Sequence, residues 1–131
     1  FRALRDSPIE TLSCDSCGID SIEIDTKHIP KNLKCLSLHD NSINADVCRE
    51  LVKLLQGGDA ALTFLSLNNN EIADDGVEIV ADALQNNTSL NTLNLLGNDG
   101  ISNYGMTILL KLVNNVSSIN ATMQSSHTLR I

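Results

Sequence analysis

The sequence predicts an α/β fold in which short parallel strands alternate with helices along a repeating chain. Three observations predict it. The pattern Leu-x-x-Leu-x-Leu-x-x-Asn appears as Leu33, Leu36, Leu38, Asn41, then as Leu62, Leu65, Leu67, Asn70, then as Leu90, Leu93, Leu95, Asn98, at spacings of 29 and 28 residues. Each copy is followed by an apolar stripe of helical period. Aromatic residues are only 2% of the 131 residues, namely Phe1, Phe64 and Tyr104. A core without large aromatic anchors suits thin, repeated layers of Leu, Ile, Val, Ala and Cys.

In each copy the Leu-x-Leu segment is a strand. Alternate residues face one way, so Leu36 and Leu38, Leu65 and Leu67, and Leu93 and Leu95 point into the core. A strand this short cannot stand alone, and pairing with its counterpart in the next copy makes a parallel sheet. The Asn that follows turns the chain inward, where its amide can satisfy backbone groups from copy to copy. Ile43, Ile72 and, one residue late, Ile101 come next. A degenerate copy, Ile9, Leu12, Cys14, Cys17 and Ile19, lies 24 residues upstream of the first full one.

The helical half repeats as clearly. Cys48, Leu51, Val52 and Leu55 are spaced i, i+3, i+4, i+7; so are Val77, Val80, Ala81 and Leu84, and Met106, Leu109, Leu110 and Val113. Asp46 and Asp75 are the expected N-caps of the first two helices, and Ser102 or Asn103 that of the third. Gly57-Gly58, Asn86-Asn87 and Asn114-Asn115 follow the stripes and are expected to end the helices in the left-handed conformation.

The run from Asn70 through Ile72, Gly76, Val77, Val80, Ala81 and Leu84 to Leu90 resembles the consensus of the ribonuclease-inhibitor-like class of leucine-rich repeats. The resemblance covers roughly residues 9 to 125. It implies a right-handed, curved solenoid with strands on the concave face and helices on the convex face. Proteins with such repeats include ribonuclease inhibitors, sensor regions of nucleotide-binding immune receptors, tropomodulin-like actin cappers and Ran GTPase activators. Three departures stand out. Val47 replaces the Gly seen at Gly76 and Gly105. An extra residue near Asp99-Gly100 should bulge the third loop. The segment from Gly18 to Lys31 holds Pro30 and no helical stripe, so its back should be extended or 3₁₀. The implied organisation is a single domain over residues 1–131. It has a flank at 1–8, repeats at about 9–32, 33–61, 62–89 and 90–115, and a worn repeat or cap at 116–131. Val116, Ile119, Ala121 and Met123 suggest a last strand without fixing its register. Polar residues over 117–128 suit a solubilising end.

The formal net charge of -7 argues against nucleic acid, which needs a basic stripe. No apolar run approaches the ~20 residues of a membrane span. The start, Phe1-Arg2-Ala3-Leu4-Arg5-Asp6, does not resemble a signal peptide, and lacking Met it is expected of an excised or processed piece.

Residues between the inward leucines form rows on the concave face. One row is Thr11, Cys35, Phe64, Thr92 and Ser118. The next is Ser13, Ser37, Ser66, Asn94 and Asn120. The third is Asp15, His39, Asn68, Leu96 and Thr122. Partners of repeat proteins generally bind such a face, so Cys35, Ser37, His39, Phe64, Ser66, Asn68, Thr92, Asn94 and Leu96 are the candidate partner-binding residues. Phe64 is either a hot-spot anchor or a cover for its neighbours. Four or five strands span only ~20 Å, small for a tight protein site.

Chemistry-bearing patterns have plain structural readings. Cys14-x-x-Cys17 has half a zinc or redox spacing, yet Cys14 falls at an inward Leu position, Cys17 falls at the Asn position, and a second ligand pair is missing. Cys48 reads as core, while Cys35 is the thiol best placed for modification. With no disulfide partner evident, the cysteines point to a reducing, cytoplasmic compartment. Asp15 and His39 fall in one row and suggest either acid-base chemistry or a cross-strand polar pair. The acids Asp74, Asp75, Glu78 and Asp82 read as a solvated helix face or a site for a basic partner. Asn86, Asn87, Asn115 and Asn120 begin glycosylation sequons, which matter only in a secreted protein.

No nucleophile with an aligned base and no phosphate loop is evident, so no enzyme, metal or cofactor is expected. The expected function is a monomeric, non-enzymatic module binding an unidentified protein through the concave face. The alternatives are an enzyme regulator such as a GTPase activator, by family analogy, and a structural fragment of a longer array.

Overall fold

The computed structural model describes residues 2–56, 61–115, 120–124 and 128–130. The architecture is α/β. Six strands form one sheet in sequence order: β1 (Thr11–Ser13), β2 (Cys35–Ser37), β3 (Phe64–Ser66), β4 (Thr92–Asn94), β5 (Asn120–Gln124) and β6 (Thr128–Arg130). The first five are parallel, with register steps of 24, 29, 28 and 28 residues. Helix α1 (Ala45–Leu51) joins β2 to β3, α2 (Asp74–Leu84) joins β3 to β4, and α3 (Asn103–Asn115) joins β4 to β5. Between β1 and β2 there is only a 3₁₀ turn, Thr26–His28, as the missing stripe and Pro30 predict.

The core lies between the sheet and the helices. The strand leucines 36, 38, 65, 67, 93 and 95 are all buried, as are Ile43, Ile72 and Ile101 behind the turns. Against them pack Cys48, Leu51, Val52 and Leu55, then Val77, Val80, Ala81 and Leu84. The third stripe is shifted from its expected position. Met106, Leu109 and Leu112 are buried while Leu110 and Val113 stay half exposed. Helix α1 packs on α2, and α2 on α3.

The turn after each strand is held by an amide ladder. The Oδ1 of Asn70 accepts from Asn41 N–H at 3.2 Å and Ile43 N–H at 3.0 Å, while its Nδ2 donates to the carbonyls of Leu38, Leu67 and Asn68. Asn41 serves Cys17, Ile19, Cys14, Leu38 and His39 in the same way. Asn98 accepts from Ile72 N–H and donates to the Leu67 and Leu95 carbonyls. Each amide thus ties its own turn to the preceding one.

The helix ends differ from the expected ones. The cap of α1 is Asn44, whose Oδ1 accepts from Asp46 and Val47, because Asp46 already lies inside the helix. Ala73 stands at the cap of α2 and offers no side-chain acceptor, so Asp75 does not cap it. Ser102 does cap α3, its Oγ accepting from Tyr104 N–H at 3.1 Å. Asn86 and Asn87 are not left-handed. Asn87 instead works through its buried amide, which accepts from Ser89 and Leu90 N–H and donates to the Leu55 carbonyl at 2.8 Å. Asn114 and Asn115 belong to α3 rather than following it.

Left-handed residues occur one place before each ladder position: Ser16, Asp40, Asn69 and Gly97. The last strand pairs Thr92 with Asn120 and Asn94 with Thr122, so the 28-residue step continues. The expected rows had placed Asn120 and Thr122 two residues off. Strand β6 returns antiparallel on β5. Gly57-Gly58, Val116, Ser118 and Ile119 lie outside the described residues.

Candidate functional site

The helices cover one face of the sheet, and the other face is open. Alternation along three-residue strands decides which side chains reach the open face: the middle leucine goes in and its two neighbours come out. Thr11, Cys35, Phe64 and Thr92 are in register as one row, and Ser13, Ser37, Ser66 and Asn94 as a second. Backbone pairing continues beyond the formal strand ends, with Asp40 N–H donating to the Asn68 carbonyl and Asn69 N–H to that of Leu96. That pairing aligns Asp15, His39, Asn68 and Leu96 as a third row. All nine predicted partner-binding residues therefore share one surface.

Their exposure is uneven. Phe64 is 36% exposed, the largest apolar group on these rows. Cys35, Ser37, His39, Asn68, Thr92, Asn94 and Leu96 are half buried. Ser66 is buried at 5%. It is a small side chain on a central strand, and its hydroxyl donates to Asn68 Oδ1 instead of facing solvent.

The polar groups are largely paired with one another. Asp15 accepts from Ser13 Oγ at 2.8 Å, Ser37 Oγ at 2.6 Å and the His39 backbone N–H at 2.8 Å. The Ser37 hydroxyl foremost, with Ser13 and the His39 amide, holds the Asp15 carboxyl below its ordinary value. The His39 ring pairs elsewhere. Its Nδ1 lies 2.6 Å from Asn68 Nδ2. The Asn68 carbonyl oxygen lies 3.3 Å from the same Nδ1, so Asn68 holds the ring through both groups. Asp15 and His39 touch, as their shared row suggests, but carboxylate meets backbone and not imidazole. The Oδ1 of Asn94 accepts from Leu96 N–H at 3.1 Å. The outcome is a preordered polar surface with Phe64 and Leu96 as its apolar members.

No family model and no curated protein matches this chain. The other chemistry-bearing residues disperse. All four cysteines are free. Cys14 packs half buried against the core, and Cys17 is exposed, its Sγ 3.4 Å from the Asp15 carbonyl. Burial pushes the Cys48 thiol up to about 12. Among the described residues, no three His, Cys, Asp or Glu side chains are placed to hold a metal ion together. No helix among them is long and apolar enough to cross a membrane.

The acidic helix face has a role the sequence did not reveal. Asp74 accepts from Ser102 N–H, Ser102 Oγ and Gly105 N–H, and these bonds, Ser102's first, lower its pKa. Glu78 accepts from the Tyr104 hydroxyl at 2.6 Å, which raises the phenol's pKa. Two of the four acids thus fasten α3 to α2. An isolated parallel bridge joins Gly100, in the loop before α3, to Ala73.

Proposed function

We propose that the chain is a right-handed leucine-rich-repeat solenoid of the ribonuclease-inhibitor-like class, and that it binds a protein partner through the open face of its sheet. The repeat reading is supported by parallel pairing in sequence order, helices returning on one side, and an amide ladder at each turn. Right-handed crossover is the rule for parallel strands joined through a helix. The single observation that carries the binding reading is Phe64, an exposed ring in a row with Cys35 and Thr92, on a face whose Ser37 and Asn68 side chains are already held in place. Preordered side chains lose little freedom when a partner arrives, and a lone aromatic is the usual energetic centre of such a surface.

This reading is non-enzymatic. Among the described residues the His39 ring pairs with Asn68, not with a hydroxyl, thiol or carboxylate. Four free thiols suit a reducing, cytoplasmic setting. A regulator of an enzyme such as a GTPase would use the same face. The test is a comparative pulldown from the source cell with the wild-type chain, Phe64→Arg and Asn94→Arg. A partner lost by both variants supports the open-face reading; a partner retained by both overturns it.

A further inference from the structure

We propose that the N-terminal end of the core is a second docking site, a groove for a positively charged amphipathic segment of a partner protein. Two hollows meet there at Ser21 and Ile22. One, of about 260 Å³, is apolar and lined by Leu4, Leu12, Cys14, Ile19 and Leu38. The other, of about 380 Å³, has Val47 and Asn44 on its walls and four carboxylates at its rim: Asp20, Glu23, Asp46 and Glu50.

The groove exists because one helix is missing. Helix α2 has a helical neighbour on each side, whereas α1 has α2 on one side and the non-helical segment before Thr26–His28 on the other. At Gly105 an added Cβ would lie 2.3 Å from Asp74 Oδ1 of the preceding unit, so that contact is closed. At the matching position stands the buried Val47, whose side chain lines the second hollow.

The occupant is set by charge and by the ladder. Lys53 pairs with Glu50 and Arg49 with Asp46, which leaves Asp20 and Glu23 without an ion pair among the described residues. A second copy carries the same net charge of -7 and is repelled. A further repeat of the same kind finds no ladder amide aimed at it, because Cys17 occupies the place held by Asn41, Asn70 and Asn98. What fits is one large apolar side chain in the Leu4–Leu12 hollow with flanking Lys or Arg on Asp20 and Glu23. This site is separate from the open sheet face, and it stands or falls independently of it.

The test is an NMR titration of the isotopically labelled chain with a short synthetic peptide of alternating Leu and Lys, and with its Leu–Glu counterpart. The expected result is shift changes confined to residues 4–24 and 44–50, seen with the Lys peptide only and weakened by salt. The double variant Asp20→Lys, Glu23→Lys should bind at least about tenfold more weakly, as expected for loss of two charge contacts, with unchanged signals from α2 and α3. Equal binding of the Leu–Glu peptide, shifts spread equally over Asp74, Asp75, Glu78 and Asp82, self-association in place of peptide binding, or no binding would each overturn the proposal.

Discussion

Asp74 and Ser102 are joined twice across 28 residues: the Asp74 carboxylate receives the Ser102 backbone N–H at 2.8 Å and its hydroxyl at 2.5 Å. A third bond, from Gly105 N–H at 3.1 Å, completes the contact. The first turn of α3 is therefore capped from α2 as well as by its own Ser102. Asp74→Ala should destabilise the chain by about 1 kcal/mol, the usual worth of a helix cap, measured by denaturant unfolding. An unfolding midpoint equal to wild type would show that the cap contributes nothing.

Acid should weaken the same contact. The Asp74 and Asp15 carboxyls are both lowered, by hydrogen bonds led by Ser102 and Ser37 respectively. A lowered carboxyl stabilises while it is ionised. Its contribution is complete above the unfolded value of about 3.9 and is lost as pH falls through the folded value. Stability measured across this range should drop on acidification, and Asp74→Asn should flatten part of that drop. An Asp74→Asn profile parallel to wild type would contradict the assignment.

The amide ladder is expected to be costlier to break than any surface contact. Asn70→Ala would leave the Ile43 N–H and the Leu38 and Leu67 carbonyls without their buried partner. Leaving buried groups unsatisfied costs about 1–3 kcal/mol each, so a loss of at least about 2 kcal/mol is expected in the same unfolding assay. Asn70→Asp keeps the acceptor but sets a buried carboxylate against the Leu38, Leu67 and Asn68 carbonyls, and it should cost at least as much as Asn70→Ala.

Strand positions, inward leucines and the first two stripes follow from period and spacing, and the open-face rows follow from strict alternation. Caps were misplaced because Asp46 and Asn44 are both good cap types, and only backbone geometry chooses between them. The left-handed turn positions were hidden because Ser16, Asp40 and Asn69 tolerate that conformation without being glycine. The last strand lost its register because its leucine positions are worn. Hydrogen-bond direction on the open face, such as Asn68 rather than Asp15 on the His39 ring, depends on rotamers that no spacing encodes.

Gly97 is the left-handed glycine of the third ladder turn. Its φ is +72°, and an added Cβ would lie 2.0 Å from Asn69 Oδ1. Gly97→Ala should cost about 1 kcal/mol or more through the backbone alone, whereas Asn69→Gly should be close to neutral. Thermal unfolding of the two variants checks the contrast, and equal losses would contradict it.

Thiol labelling should separate the cysteines. Cys48 is fully buried, and its thiol is pushed up to about 12. It should stay unmodified by iodoacetamide at mildly alkaline pH until the chain unfolds, while exposed Cys17 reacts first. Peptide mass spectrometry reads the order directly, and early labelling of Cys48 would contradict the packing of α1.

The central claim, that the open sheet face holds the partner, is tested most directly by hydroxyl-radical footprinting of the chain alone and in complex with the captured protein. The account predicts that Phe64, Leu96 and His39 become protected while Tyr104 and Leu110 on the helical side keep their reactivity. Protection of Tyr104 and Leu110 with Phe64 unchanged would contradict it.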